Sequence, residues 1–462
     1  MAQNITKLLF LVLLVTTVSF SQKESFTNLT LDNCVQIALE KNKQNEISQR
    51  LIQKSEALIK QAKSAKLPQL DVSSFAYMND EDINFLQVPT KVEIPPFTLG
   101  NSTFSLAPFV LPEQDIKMAD KKSLLTEAML TFPLYTGGKI TSIIEQAKLG
   151  LSISKNDMQL TEREIKYNVK NTFYTVILAR NIAKISGDAL QRFEATFKLT
   201  ESLFNVGSER VNKLDYLKNK MTLEAFRGLN TTIISNYKSA VAALKFYMGL
   251  DQSEEITINE GITDYNTDSA DKYSTSTTLN ASNINMQKLE NAIKLYENKI
   301  DEAKSDYYPS VALVANFRRW DNSYKFAGFT KENQNIYTLG IGFKWSLFNG
   351  FRTDGKTEEM EAELSMTKAQ KSYLDEGLKM QKEKLINDLN ESKEKIVSAK
   401  ASMMTAIENR ELNLRAYQNE MAPVTDFITA QVFEAILSAQ YEAALFQQAS
   451  TIFKLEQLFG EL

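Results

Sequence analysis

Two stretches of this chain do the same unusual thing. In YTLGIGFKWSLFNGFR, residues 337–352, Tyr337, Leu339, Ile341, Phe343 and Trp345 alternate with Thr338, Gly340, Gly342, Lys344 and Ser346. Period-two alternation of this length predicts a strand with one apolar and one polar face. Asn349 and Gly350 supply a turn, and a long, highly charged helical pattern follows. LTFPLYTGGKITSIIEQAKLGL, from Leu130, repeats the plan with Gly137 and Gly138 at the turn. A chain built on this unit must house isolated amphipathic strands and very long helices together.

Other landmarks extend the repetition. ALIKQAKSAKLPQLDVSSFAYM, from Ala57, resembles NKIDEAKSDYYPSVALVANFRRW, from Asn298; in both a charged helix ends at a proline, Pro68 or Pro309, and alternation follows. Asp215 and Gly249 correspond to Asp426 and Gly460, both pairs 211 apart. Equal spacing of separate landmarks predicts an internal duplication. The expected organisation is a leader at 1–21, a first repeat at 22–250, a linker at 251–280 rich in Thr, Ser, Asp and Asn, and a second repeat at 281–462. Each repeat reads helix, strand, loop, strand, long helix, tight turn, helix. The first places these at 30–66, 69–78, 79–122, 123–134, 139–204 and 209–250; the second at 281–307, 310–320, 321–335, 336–347, 351–419 and 424–459.

The long helices carry thin apolar seams. Ile144, Leu151, Met158 and Ile165 recur at sevens, as do Leu389, Ile396 and Met403, with Lys, Glu, Gln and Asn between. That texture belongs to coiled-coil packing, and a helix of about 66 residues is about 100 Å long.

Composition narrows the function classes. The chain opens MAQNITKLLFLVLLVTTVSFSQ, a short apolar run after one Lys with small residues before Gln22, which predicts an export signal cut after Ser21. No later apolar run approaches the roughly 20 residues of a spanning helix. Loss of the leader moves the net charge only from −4 to −5, which argues against a nucleic-acid partner. There is no histidine and one cysteine, Cys34, on an amphipathic segment where it reads as a small buried residue. No Gly-rich phosphate loop or nucleophile turn is present, so the expectation is a protein without catalytic, cofactor or metal sites.

The four strand candidates then pose an accounting problem. A membrane strand needs about 9–11 residues, apolar outward and polar inward, with aromatics at the interfaces. Tyr337 and Trp345 bracket Leu339, Ile341 and Phe343 in that way. Val311, Leu313, Ala315 and Phe317 form a second face, Ala128, Leu130 and Phe132 a third, and Leu70, Val72, Ala76 and Met78 the weakest. A soluble β-domain on a periplasmic coiled-coil scaffold is the competing reading. Strands in lipid must close into a barrel, because an open edge leaves N–H and C=O groups unpaired. Four cannot close, since small single-chain barrels have about eight; several chains would have to share one barrel. The long, proline-bearing segment 79–122 would face outward and the helices would stand in the periplasm.

At this point the sequence resembles the outer membrane efflux proteins, the TolC-like outer-membrane factors. The resemblance rests on LTLDNCVQIALEKN, on FPLYTGGK and WSLFNGFR, and on the hairpins LFNVGSERVNKLDYLKNK and AYQNEMAPVTDFITAQ, and it spans nearly all of 28–460. It implies a mainly α fold with a membrane β-barrel. Three protomers would give four strands each to a 12-stranded outer-membrane barrel, continued by a periplasmic α-helical barrel. It implies the exit duct of a tripartite efflux pump, with a periplasmic adaptor protein, an indirect inner-membrane transporter and outer-membrane lipid as partners. The duct of a type I protein secretion system remains open as an alternative.

The resemblance also assigns residues. Asp426 matches a ring of lumenal carboxylates at a periplasmic gate; Thr429 stands where a second acidic ring falls in other members. Asp215 and Tyr417 match positions that latch the closed tip, and the basic partner of that latch falls here at Ala422. Val206, Gly207 and Ser208 match the tip that meets the adaptor. The second tip has Pro423 just inside its helix and lacks the glycine. Gly137, Gly138, Asn349 and Gly350 are the strand-to-helix turns, and Tyr337, Phe343 and Trp345 the membrane-interface aromatics.

Overall fold

A computed structural model describes residues 25–87, 90–111, 114–119, 121–261, 283–326 and 329–461. The expected leader, 1–21, and the linker beyond 261 lie outside these residues. The chain forms two compact units. One comprises residues to Gln53, Ile153–Glu290 and Ala369 onward; the other comprises Lys54–Ser152 and Asn291–Lys368.

The first unit is helical. It contains β1 (Ser25–Leu29), α1 (Leu31–Lys41), the start of α2 (Lys43–Ser64), most of α3 (Lys139–Asn205), α4 (Lys213–Met248), β10 (Glu255–Ile258), most of α6 (Arg352–Gln418), and α7 (Val424–Phe459). The seam expected on α3 and α6 is real: Ile144, Ile165 and Leu389 are buried, and Leu151, Met158, Ile396 and Met403 are half-buried. Around Phe173, Ile177, Leu244, Met248 and Phe453 the seam thickens into a core joined by Cys34 and Ala38 of α1. Each such phenylalanine contributes about 1.5–3 kcal/mol by leaving water. Cys34 is fully buried, and burial, with a smaller push from Glu260, raises its thiol to about 12. It is packing, as its segment predicts.

Three expectations need correction here. The helix read over 30–66 breaks at Asn42, whose ψ of 126° is extended. Its side chain takes over the local bonding: Nδ2 donates to the Tyr247 carbonyl at 2.7 Å, and Oδ1 accepts from the Gln44 amide at 2.8 Å. The helix read from 209 starts at Lys213, because Asn212 is its N-cap. The chain after 250 is not all linker, since β10 pairs in parallel with β1.

The second unit carries the sheet. β2 (Gln69–Met78), β9 (Lys122–Tyr135), β11 (Ser310–Phe326) and β12 (Phe329–Lys344) lie side by side in that order, each antiparallel to its neighbour. Among the described residues, β2 and β12 each use one edge only. The register aligns the expected faces across all four strands. Tyr337, Leu339 and Ile341 stand opposite Phe317, Ala315 and Leu313, which stand opposite Ala128, Leu130 and Phe132; Val72 and Leu70 continue the row. On β12, Tyr337, Leu339, Ile341 and Phe343 are between 65% and 78% exposed. The other face is polar: Glu127 Oε1 accepts from Arg318 Nη2 at 3.1 Å and from Asn316 Nδ2.

The segments read as loops are also partly strand. The hairpin β11–β12 runs on through residues 321–326 and 329–335. Within 79–122 lie β3 (Ile83–Gln87), β4 (Thr90–Val92), β5 (Phe97–Leu99), β6 (Ser102–Phe104), β7 (Phe109–Leu111) and β8 (Gln114–Ala119), paired β3 with β8, β4 with β7 and β5 with β6. These are too short for periodicity to declare them. β12 stops at Lys344, so Trp345 lies just past its end.

Where strand becomes helix, α5 (Ile284–Lys304) ends in a 3₁₀ turn, Ser305–Tyr307. Asp306 of that turn binds Lys139, first residue of α3, at 3.0 Å and Lys356, in the second turn of α6, at 3.6 Å. Burial alone raises the Asp306 carboxyl, but the hydrogen bond and charge of Lys139, with Lys356, outweigh it and hold it below its ordinary 3.8. A lowered folded-state value means the stabilisation is complete above the unfolded value and lost as pH falls through the folded one. Melting curves of the parent and Asp306→Asn should therefore differ by a constant amount above about pH 5 and converge below about pH 4. A gap that persists at low pH would remove the carboxylate's charge from the account.

Candidate functional site

Both helical hairpins of the first unit turn tightly. At the first, α3 ends on a left-handed Gly207 (φ 71°), and the Ser208 amide reaches back to the Leu203 carbonyl at 3.0 Å. Val206 projects, 76% exposed, and Ser208 is half-buried. Asn212 then caps α4 in a reciprocal box: its Oδ1 accepts from the Asp215 amide at 2.9 Å, and Asp215 Oδ2 accepts from the Asn212 amide at 3.4 Å. The Asp215 carboxylate is thus engaged in starting its own helix. Behind it, Tyr216 stacks on Phe204 at 4.8 Å.

The second hairpin lacks glycine, and Glu420 takes the left-handed place (φ 64°). The Met421 amide bonds the Ala416 carbonyl at 2.8 Å. Pro423 is the N-cap of α7, not its first helical residue as expected; its extended ψ of 156° suits a residue leading into the helix. Asp426 lies in the first turn, where a carboxylate complements the helix dipole. Asp426 and Thr429 share an exposed face, whereas Val424, Phe427, Ile428 and Ala430 face inward. A cluster of Phe193, Leu223, Phe226, Tyr417, Phe427 and Ile428 holds the two hairpins together.

Tyr417 is buried, and its ring lies parallel to Phe427, centroids 6.0 Å apart. Among the described residues its hydroxyl has no hydrogen-bond partner, so the structure does not bond it to Asp215. Burial raises the phenol and Arg210 partly opposes that rise. Arg210, on the first hairpin, is the residue that sequence reasoning missed. Its Nη2 donates to the Tyr417 carbonyl at 3.2 Å, Nη1 pairs with Glu420 at 3.2 Å, and its guanidinium lies 5.9 Å from the Tyr417 ring. Ala422 supplies no cation, but Arg210 supplies one from the opposite tip. Nothing local in SERVNK marks that role.

Deeper in the hairpins, Glu434 of α7 binds Arg192 of α3 at 3.1 Å and Arg410 of α6 at 3.0 Å. Nearby, Asn219 Nδ2 donates to Thr200 at 2.7 Å, and Gln431 Nε2 to Thr196 at 3.2 Å, in a buried polar ladder. Among the described residues, no group of His, Cys, Asp and Glu could hold a metal, and no helix is long and apolar enough to cross a membrane.

The sequence pattern of the family described as outer membrane efflux protein matches residues 34–250. No curated protein matches by sequence. Among solved structures, the CmeC outer membrane channel of Campylobacter jejuni superposes with a TM-score of 0.73 at 14% identity, over 96% of this chain and 90% of that one. The outer membrane protein VceC of Vibrio cholerae gives 0.68 at 13%, over 93% and 96%. The open state of the MtrE outer membrane channel of Neisseria gonorrhoeae gives 0.70 at 12%, over 93% and 88%. The sequence pattern of the outer membrane efflux proteins thus covers residues 34–250, and over nearly its whole length the chain has the fold of the TolC-like channels.

Proposed function

We propose that the chain is one of three protomers of a passive exit duct, the outer-membrane component of a tripartite efflux pump. The observation that carries this reading is the sheet: four strands, one continuous apolar face, and two edges that no described strand pairs. Lipid does not tolerate open edges. Because β2 and β12 run in opposite directions, β12 of one copy can pair with β2 of the next in the same antiparallel sense. Three copies then give 12 strands. The leader expected at 1–21 delivers the chain across the inner membrane. Energy comes from an inner-membrane transporter bridged by a periplasmic adaptor, which meets the Val206–Gly207–Ser208 tip.

In this reading the hairpin tips form the periplasmic gate. Asp426 and Thr429 line its lumen, and three Asp426 carboxylates admit cations and slow anions. The Arg210–Glu420 pair is exposed and worth about 0.2–1 kcal/mol. The apolar cluster around Tyr417 and Phe427 is therefore the main restraint, and Asp215 acts by shaping the start of α4. Adaptor engagement shifts the balance of two packings by binding one of them better.

The test is single-channel recording on Asp426→Ala. A unit charge about 8 Å from a passing ion is worth about 0.5 kcal/mol in water before screening. Three copies make selectivity a several-fold effect: conductance should rise and the cation-to-anion permeability ratio fall several-fold. Unchanged values would take Asp426 out of the gate. A soluble monomer in the periplasmic fraction would sink the duct itself.

A further inference from the structure

Both 67-residue helices start after a pair of left-handed residues. Before α3 these are Gly137 (φ 61°) and Gly138 (φ 90°); before α6 they are Gly350 (φ 66°) and Phe351 (φ 62°). Glycine accepts that conformation without penalty, whereas a bulky aromatic side chain there is strained. A Cβ at Gly138 would meet nothing within 4 Å, so glycine there answers to backbone alone. The second turn holds a phenylalanine in the same conformation, and among the described residues that side chain joins no buried core. Phe351 is 72% exposed, Phe348 75% and Leu347 79%. The two rings stand edge to face, centroids 5.6 Å apart at 90°.

The rest of the turn is rigid. Asn349 Oδ1 accepts from the Arg352 amide at 3.1 Å, and its Nδ2 donates to Thr353 at 2.6 Å. Trp345 Nε1 donates to the Tyr307 carbonyl at 3.0 Å, and the Tyr307 hydroxyl donates to Asp354 at 2.7 Å. A braced backbone thus presents three large apolar side chains outward, just past the end of the apolar row of β12. Lys344 and Arg352 are exposed on either side of them. An apolar tip flanked by cations matches the boundary of a phospholipid bilayer, where rings sit at headgroup depth and basic side chains reach phosphates.

We infer that Leu347, Phe348 and Phe351 form a hook that inserts into the periplasmic-side interface of the outer-membrane bilayer and fixes the depth at which each protomer sits. This rests on the outer-membrane reading above. The first turn, with Gly138 in place of the ring, contributes Leu134 and Tyr135 only, so anchoring is concentrated on the second.

Tryptophan quenching tests it. The parent has two tryptophans, Trp320 and Trp345. Full-length Phe351→Trp and Ile341→Trp variants each add one reporter, read as the difference from the parent in phospholipid vesicles with brominated acyl chains. Ile341→Trp reports whether the sheet face is in lipid at all. The expected result is loss of emission in both, with Phe351→Trp losing most when the bromines lie near the headgroups. If only Ile341→Trp is quenched by bromine and Phe351→Trp responds to aqueous acrylamide, the ring is in water and the hook is wrong. If Phe351→Trp responds to neither, another protein surface covers it and the hook is equally wrong. If neither variant responds to bromine, the membrane reading fails first.

Discussion

Replacing Gly249 by alanine should cost roughly 3 kcal/mol or more and sharply lower the yield of folded protein. Gly249 ends α4 in the left-handed region (φ 72°), with its amide on the Phe246 carbonyl and the Leu250 amide on the Lys245 carbonyl. An alanine there meets two penalties. The conformation itself costs about 1–2 kcal/mol for any residue with a Cβ. The new methyl would also lie 2.5 Å from the Lys41 carbonyl oxygen and 2.8 Å from the Asn42 amide nitrogen, backbone atoms at the break between α1 and α2. Backbone on both sides leaves no flexible side chain to yield. Gly207→Ala is the control: it has the same φ sign but open space around it, so it should lose only about 1 kcal/mol. Thermal melts of the two variants in detergent should separate clearly; equal losses would mean that the close approach of α1 is immaterial.

Glu434→Ala should be the most damaging change among the charged residues, at about 2–4 kcal/mol. One carboxylate serves two guanidinium groups, and its side chain keeps only 12% of its exposure. Its loss leaves Arg192 of α3 and Arg410 of α6 facing each other across α7 without the charge that reconciles them. Glu434→Gln keeps the shape and one acceptor and should fall between. The comparison matters for function because these three helices carry the tips. Circular dichroism melts measure the stability change. Single-channel recording should show the alanine variant spending more time in noisy, partly open states. Parent-like melting would show that the two arginines find other partners.

Much of this architecture was legible in residue order. Alternation marked the cores of all four long strands, and the register places their apolar residues in one row. The long helices were readable because glycine turns bound them at one end and hairpins at the other; α6 begins and ends within one residue of its expectation. What escaped was either non-local or chemically ambiguous. β1 and β10 pair across more than 200 residues and are too short to show a period. Asn42 breaks a helix through a hydrogen bond to Tyr247, a partner that no local pattern reveals. At the tips, sequence reasoning placed Asp426, Thr429 and Tyr417 but not the cation facing Tyr417. Arg210 comes from the other hairpin, and only packing brings it within reach.

The open edges of β2 and β12 have a consequence for how the molecule is made. The helical unit can close hydrophobic cores within a single chain. The sheet cannot: until its edge groups are matched, it is both sticky and barred from hydrocarbon. In the trimer proposed above, the last step of folding is an encounter between chains, and its rate depends on their concentration. Overproduction and scarcity carry different hazards, mispairing of edges in one case and long exposure in the other. For that proposed assembly the periplasm would have to hold exported chains apart until they meet in the right order, which makes biogenesis, more than final stability, its most fragile stage.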